Sequence, residues 1–183
     1  MTILCDRQIR ELALAGMITP FVESQKGKGI VSYGLSSYGY DLRLGNVFKM
    51  SAGESVLDPT NVGEGDFFTV TVTDHFDIPA KSFVLACTLE TLHLPPDVTG
   101  LLKDKSTYAR CGISVQNTVF EAGWQGVPTL ELVNHLDRPV RLHVGQGIGQ
   151  MLFFRGEPCE VSYGDRGGKY QGQTGVTLAK VLA

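Results

Sequence analysis

Two stretches hold residues whose types and spacing could do chemistry. The first is KDKSTYARCG, Lys103 to Gly112, with Lys105, Ser106 and Arg110 set close together. Basic and hydroxyl groups in such a run suit an anion. It is not a Walker A loop, because no glycine stands just before Lys105-Ser106. If Ser106 to Arg110 forms one helical turn, Ser106 and Arg110 share a face at i, i+4. The second stretch is Thr129-Leu130-Glu131-Leu132. In an extended strand Leu130 and Leu132 face one way, and Thr129 and Glu131 face the other. With the leucines in the core, Glu131 either lies on a solvated face or lines a pocket. In a pocket, partial burial raises its pKa from about 4.3 toward neutrality and fits it for acid–base work.

Other chemistries are poorly supported. His75, His93, His135 and His143 have no helical i, i+4 spacing, and neither HExxH nor an EF-hand loop occurs. The H-x-E…P-C-x-x-C signature of zinc deaminases is missing, as is a G-x-S-x-G elbow. No protein-bound catalytic metal is expected. The net charge of -3 argues against a nucleic-acid partner, which calls for a basic surface. Cys5, Cys87, Cys111 and Cys159 are scattered without CxxC spacing, as befits reduced thiols in the cytoplasm. No run of about 18 apolar residues suggests a membrane span.

The elements that must position these residues are mainly strands. The 183 residues suggest one domain, able to bury about 70% of the surface its unfolded chain exposes. Asp6 to Gly16 reads as a helix, with Asp6 as cap, Ile9, Leu12 and Ala13 as apolar face and Gly16 as stop. Gln25 to Gly29 reads as a polar loop. Short apolar or alternating runs then recur at Asp41–Leu44, Phe67–Val72, Phe83–Thr88, Thr129–Val133, Val140–His143 and Gln150–Phe154. Gly, Pro, Asn and Asp break them. This pattern predicts a β-sandwich, jelly roll or barrel, not a doubly wound sheet. Ser106 to Arg110 is expected as a short added helix with a hydroxyl cap. From Tyr163 the chain is glycine-rich and carries Arg166 and Lys169. It is either a disordered terminus or a flap whose backbone N–H groups close on an anion.

Five segments taken together carry a resemblance: SSYGYDLRL, KSTYARCG, VFEAGWQG (with Glu121, Trp124 and Gly126), IGQMLFF and DRGGKYQGQTG. Their order and spacing resemble the conserved segments of the dUTPase superfamily. Within it the chain is similar to bacterial dCTP deaminases, through KSTYARCG, TLEL, GQMLFF, YGDRGGKYQGQTGVTL and the N-terminal LCDRQIREL. The likeness runs from Leu4 to Leu178.

The resemblance implies a distorted β jelly roll or barrel of the dUTPase-like type, with an N-terminal helix and a short additional helix. Residues 1–183 would form one domain, with 163–183 a C-terminal arm covering the nucleotide. It implies zinc-independent conversion of dCTP and water to dUTP and ammonia, supplying dUTP toward thymidylate synthesis. The protein would be a homotrimer with sites between subunits, and dTTP a candidate inhibitor. The catalytic carboxylate falls on Glu131, assisted by Ser106 and Arg110. Substrate contacts fall on Lys105, Ser106, Thr107, Tyr108, Ala109, Arg110, Thr129, Leu130, Glu131, Gln150, Tyr163, Lys169 and Gln173. Tyr108 reads more simply as core. Mg²⁺ would arrive bound through the triphosphate. Two rival readings accompany this one: pyrophosphate release from dUTP, alone or after deamination, and a trimeric nucleotide-sensing module. Glu121 stands where dUTPases carry the Asp that positions the attacking water, Trp124 where they usually show Tyr, and Tyr170 at their stacking Phe. The first change argues against dUTP hydrolysis, because a longer side chain misplaces that water.

Overall fold

In a computed structural model, residues 2–181 are described. The chain opens with β1 (Thr2–Ile3) and α1 (Asp6–Leu14). Cys5, not Asp6, is the N-cap; its N–H is closed by Gln8 Oε1 at 3.1 Å. Asp6 lies one residue inside, where its charge still complements the exposed amides of the first turn. Ile9 and Ala13 are buried with Leu12 packed beside them, the apolar stripe of a helix lying on a core. The helix stops where Gly16 adopts φ 104°. There the Gly16 and Met17 amides turn back to the carbonyls of Ala13 and Leu12, at 2.9 and 3.0 Å.

The remainder is β. In order come β2 (Ile18–Thr19), β3 (Gln25–Gly27), β4 (Ile30–Ser36), β5 (Gly39–Ser51), β6 (Phe67–Thr71), β7 (His75–Ile78), β8 (Phe83–Thr88), β9 (Thr91–His93) and β10 (Val98–Asp104). After α2 (Ser106–Ala109) follow β11 (Ile113–Val115), β12 (Val119–Phe120), β13 (Gln125–Gly126), β14 (Thr129–Asn134), β15 (Val140–His143) and β16 (Gly147–Arg155). Gln25–Gly29 is therefore a hairpin arm and turn, not a loop. Its polar residues pair with β4 while staying exposed.

The main sheet runs β11-β14-β8-β5-β16-β10-β12 and curls around one core. The long strand β5 makes the curl. Its first half pairs with β4 and β16, and its second half with β6 and β8. The register with β8 shifts between Leu44 and Phe48. Gly45 stands at that bend, where a Cβ would meet the Cys87 carbonyl oxygen at 2.9 Å. A strand that changes partners at a bend is how two layers share one chain. Tyr40, Leu42, Leu44, Phe48 and Phe153 are fully buried there. Phe48 stacks on Phe76 with ring centroids 4.2 Å apart. Each such side chain contributes about 1.5–3 kcal/mol on burial. The mainly β, jelly-roll-like architecture expected from the sequence is thus the one found.

Near the site, β14 is held on both edges. It pairs with β8, with Glu131 opposite Leu85. It also pairs with β11, beyond which the Gln116 amide donates to the Glu131 carbonyl at 2.8 Å. All four cysteines are unpaired. Among the described residues no helix is long and apolar enough to cross a membrane.

Candidate active site

Strand β14 alternates as its sequence predicts. Leu130, Leu132 and Asn134 are buried, while Thr129, Glu131 and Val133 stay partly accessible on the opposite face. That face is only partly open to solvent. It forms one wall of a cleft of about 420 Å³. A second wall comes from the segment leading into β13, with Asn117, Glu121 and Trp124. The chain after Tyr163 supplies the cover, with Tyr163, Lys169, Tyr170 and Gln173. Trp124 is buried edge-on to Phe120, with centroids 4.9 Å apart, and stiffens the floor.

Burial pushes the Glu131 carboxyl up to about 7, and desolvation is the cause. Glu131 takes part in none of the ion pairs among the described residues. With no cation to hold the carboxylate ionised, a small environmental push suffices for it to exchange a proton near neutral pH. Glu121, the other cleft carboxylate, is ion-paired with Arg166.

The glycine-rich tail adopts no helix or strand, yet it is fixed. Gly126 and Gln173 form a parallel bridge. The Val127 amide donates to the Gln173 carbonyl and the Gly172 amide to the Gln125 carbonyl, each at 2.8 Å. Gln173 Nε2 donates to the Val127 carbonyl at 2.7 Å. Thr129 Oγ1 accepts from the Thr177 amide at 3.1 Å. Tyr163 Oη accepts from the Tyr170 amide at 3.1 Å. Among the described residues the tail is folded against β13 and the chain after it; residues 182 and 183, the end of the arm expected over 163–183, lie outside the described residues. Two expected substrate contacts, Thr129 and Gln173, line the cleft but also anchor the arm. Lys169 makes no ion pair among the described residues; its ammonium lies 5.2 Å from the Tyr170 ring centroid. It is the cation that the cleft lining offers to an anionic ligand.

The structure does not bring Lys105 to Arg110 into this cleft. In α2 the N-cap is Lys105, not a hydroxyl residue, and Ser106 is the first helical position. Lys105 is ion-paired with Asp41, both side chains being about one-tenth exposed. Burial raises the Asp41 pKa, opposed by Lys105. Tyr108 is core, as its type suggested, and its hydroxyl accepts from the His143 amide at 2.9 Å. Asp104 Oδ1 accepts from the Val115 amide at 2.6 Å. Ser106, Thr107, Ala109 and Arg110 are exposed, and the Arg110 guanidinium donates to the Ser106 carbonyl at 3.2 Å. Gln150 donates to Ser36 Oγ at 3.2 Å and sits opposite Asp41 on the neighbouring strand. Leu130 is fully buried, so its side chain faces away from the cleft.

Within one chain there are therefore two groups: Thr129, Glu131, Tyr163, Lys169 and Gln173 in the cleft, and Lys105, Gln150 and α2 elsewhere. Sequence reasoning missed Asn117 and the Asp41 partnership. Asn117 sits in the polar run Gln116-Asn117-Thr118, which reads as plain loop. Asp41 did carry a signal, being a charge at the start of an apolar alternation. No group of His, Cys, Asp and Glu able to hold a metal ion occurs among the described residues.

The fold thus places a partly buried carboxyl, with no cation beside it, in a cleft beneath a folded arm. Residues 3–156 match the family model described as dCTP deaminase-like. The chain is 49% identical over 184 residues to a dCTP deaminase of Acidobacterium capsulatum, covering 99% of this chain and all of that one. It is 47% identical to a dCTP deaminase of Campylobacter lari over the full length of both. The chain belongs to the dCTP deaminase-like family, and it is an enzyme. Its fold is similar to that of a 2′-deoxycytidine 5′-triphosphate deaminase from Agrobacterium tumefaciens, with a TM-score of 0.64 and 20% identity. That likeness covers 84% of this chain and about half (48%) of the other. At such low identity it bears on the fold alone.

Proposed function

We propose that the protein deaminates dCTP, with Glu131 as the proton carrier and no zinc. The observation that carries this reading is the Glu131 carboxyl, half-buried without a counter-ion and pushed up to about 7 by desolvation, in a cleft of about 420 Å³. Near neutrality about half of it is ionised. The carboxylate takes a proton from water as the oxygen attacks C4. The same carboxyl passes that proton to N3, giving a 4-amino-4-hydroxy intermediate. Transfer of the hydroxyl proton to the amino group then releases ammonia and leaves the 4-oxo pyrimidine of dUTP. One group acts twice, which calls for a pKa near the working pH.

Lys169 and the arm would meet the triphosphate, which carries its own Mg²⁺. Ser106 would hold the attacking water or the developing charge, and Arg110 would orient Ser106. Within one chain neither reaches the cleft, and their exposure supports a homotrimer in which α2 serves a neighbouring copy. Lys105 and Gln150 belong to that same donated surface. In this reading the enzyme works in the cytoplasm, makes dUTP for thymidylate synthesis and is open to inhibition by dTTP.

The assay is release of ammonia and dUTP from dCTP in zinc-free buffer. Glu131→Gln should keep nucleotide binding and lose turnover. Intact protein that binds dCTP without changing it would refute the activity. The rival reading, pyrophosphate release from dUTP, requires a free carboxylate to position water. The pairing of Glu121 with Arg166 weighs against it, and product analysis for dUMP decides.

A further inference from the structure

Glu131 stands in a row of three side chains on the outer face of the main sheet. Register places it opposite Leu85 on β8, and Leu85 opposite Lys49 on β5. Directly paired residues point to the same face. The alternate set on these strands, Leu130, Leu132, Val84, Ala86 and Phe48, fills the core. Leu85 is 7% exposed and Lys49 9%, so an apolar side chain separates the carboxyl from a shielded ammonium. Two strand spacings put their backbones about 10 Å apart. A shielded ammonium is costly unless paired, and Glu131 is the carboxylate that the row itself offers. The structure gives Lys49 a different one. Lys49 is ion-paired with Glu64, in the turn Glu64–Asp66 before β6. The Glu64 side chain is 78% exposed, so the cation is drawn toward the surface and not along the row. Glu64 itself does not line the cleft. The tail passes between the two ends, with Thr177 and Ala179 lining both the cleft and a hollow beside Glu64.

The other titratable groups around Glu131 are occupied elsewhere or uncharged. Glu121 is paired with Arg166. Lys169 lies 5.2 Å from the Tyr170 ring centroid, and Tyr170 and Tyr163 face the cleft as phenols. Burial pushes the Cys87 thiol, opposite Thr129, up and keeps it neutral. His135, at the far end of β14, bonds Ser114 Oγ at 2.8 Å. Lys180, beyond Ala179, is exposed. Lys49 is thus the cation on this sheet face whose placement depends on one carboxylate.

We propose that Glu64 is a positioning residue for the deamination: it holds and neutralises the Lys49 ammonium, so that no cation acts on Glu131 across Leu85. The inference rests on the reading of Glu131 as proton carrier. Without Glu64, the carboxylate of Glu131 becomes the counter-ion that the row presents to Lys49. A unit charge about 10 Å away, at an effective dielectric constant of about 20, favours the ionised carboxyl by about one pH unit. Contact over the top of Leu85 would favour it further. A carboxylate stabilised in this way is a weaker base and takes the proton of water less readily. Glu64 touches no ligand and acts through Lys49 alone.

The test is titration of Glu131 in the full chain without ligand, read from the NMR shift of its carboxyl carbon and assigned by its loss in Glu131→Gln. Glu64→Gln should move the midpoint down by about one pH unit. Lys49→Met alone should leave it in place, and Glu64→Gln combined with Lys49→Met should restore it. A merely structural role for the turn would not give that restoration. The acid limb of kcat/KM for dCTP should follow the same order. A midpoint unmoved by Glu64→Gln, or still shifted in the double variant, overturns the proposal. Glu64→Asp, which keeps the charge at an exposed position, should shift the midpoint less than Glu64→Gln does. Equal shifts in those two variants also overturn it, and this comparison leaves Lys49 untouched should its variants fail to fold. Protein that leaves dCTP unchanged would sink the deamination reading, whereas the midpoints judge Glu64 whether or not dCTP turns over.

Discussion

Gly126→Ala tests whether the arm creates the chemistry of Glu131 or merely covers it. Gly126 has φ 148°, and a Cβ placed there would lie 2.8 Å from the Gln173 carbonyl oxygen and 3.0 Å from its nitrogen. Both contacts are with backbone, so the arm itself must move. The bonds at stake are Gly172 N–H to Gln125 O, Val127 N–H to Gln173 O and Gln173 Nε2 to Val127 O. At about 1 kcal/mol net for each, docking of the arm weakens by about 3 kcal/mol. That is roughly two powers of ten in the ratio of closed to open arm. Opening withdraws Lys169, Tyr170 and Gln173 from the cleft and lets water reach Glu131. KM for dCTP should then rise by up to about 100-fold. Because desolvation raises the Glu131 pKa to about 7, hydration lowers it toward its ordinary value of 4.5. The acid limb of kcat/KM, which reports the free enzyme, should move from near pH 7 to lower pH. Amide exchange across 163–180 should quicken while the core melts as before. An unchanged acid limb beside a raised KM would show that β14 and its neighbours, not the arm, bury the carboxyl. If KM, the acid limb and exchange all stay put, the arm is not the cover at all.

The other predictions follow from single contacts. The folded-state pKa of Glu131 lies above its unfolded value, so the chain binds more protons folded than unfolded between about pH 4.5 and 7. Stability should fall as pH rises through that window. Glu131→Gln should therefore raise the melting temperature more at pH 8 than at pH 4.5; an equal gain at both values would refute the burial. Lys105→Met leaves the Asp41 carboxylate buried and unpaired, which should cost about 3 kcal/mol in urea unfolding. Adding Asp41→Asn should recover much of that loss, and additive losses would refute the coupling. Finally, Ser106→Ala and Glu131→Gln proteins, each inactive alone, should regain activity when unfolded together and refolded. Only sites shared between copies allow this, and no recovery argues for sites within one chain.

How much could be read in advance depended on how local the cause was. The alternation in Thr129-Leu130-Glu131-Leu132 was legible because strand period is local. That its polar face is a pocket wall was not, since the wall is closed by Asn117, Trp124 and the arm, far away in sequence. Asp41–Leu44 read as a short strand because Gly45-Asn46 look like punctuation. In the fold those residues serve a bend within β5, which runs on to Ser51. Ser106 looked like a cap, but Lys105 takes that position with its ammonium committed to Asp41, a partner 64 residues away. The tail's composition left disorder and a folded arm equally open, because what orders it is backbone pairing with Gln125 and Val127, to which composition is blind. The same distinction bears on α2. Three contacts from three elements hold it: Asp41 on β5, Val115 on β11 through Asp104, and His143 on β15 through Tyr108. Yet Ser106 and Arg110 are left facing outward. Holding a four-residue helix this firmly does nothing for side chains that meet only water. It matters where a second surface must receive them in fixed geometry, which is what the proposed homotrimer requires of it.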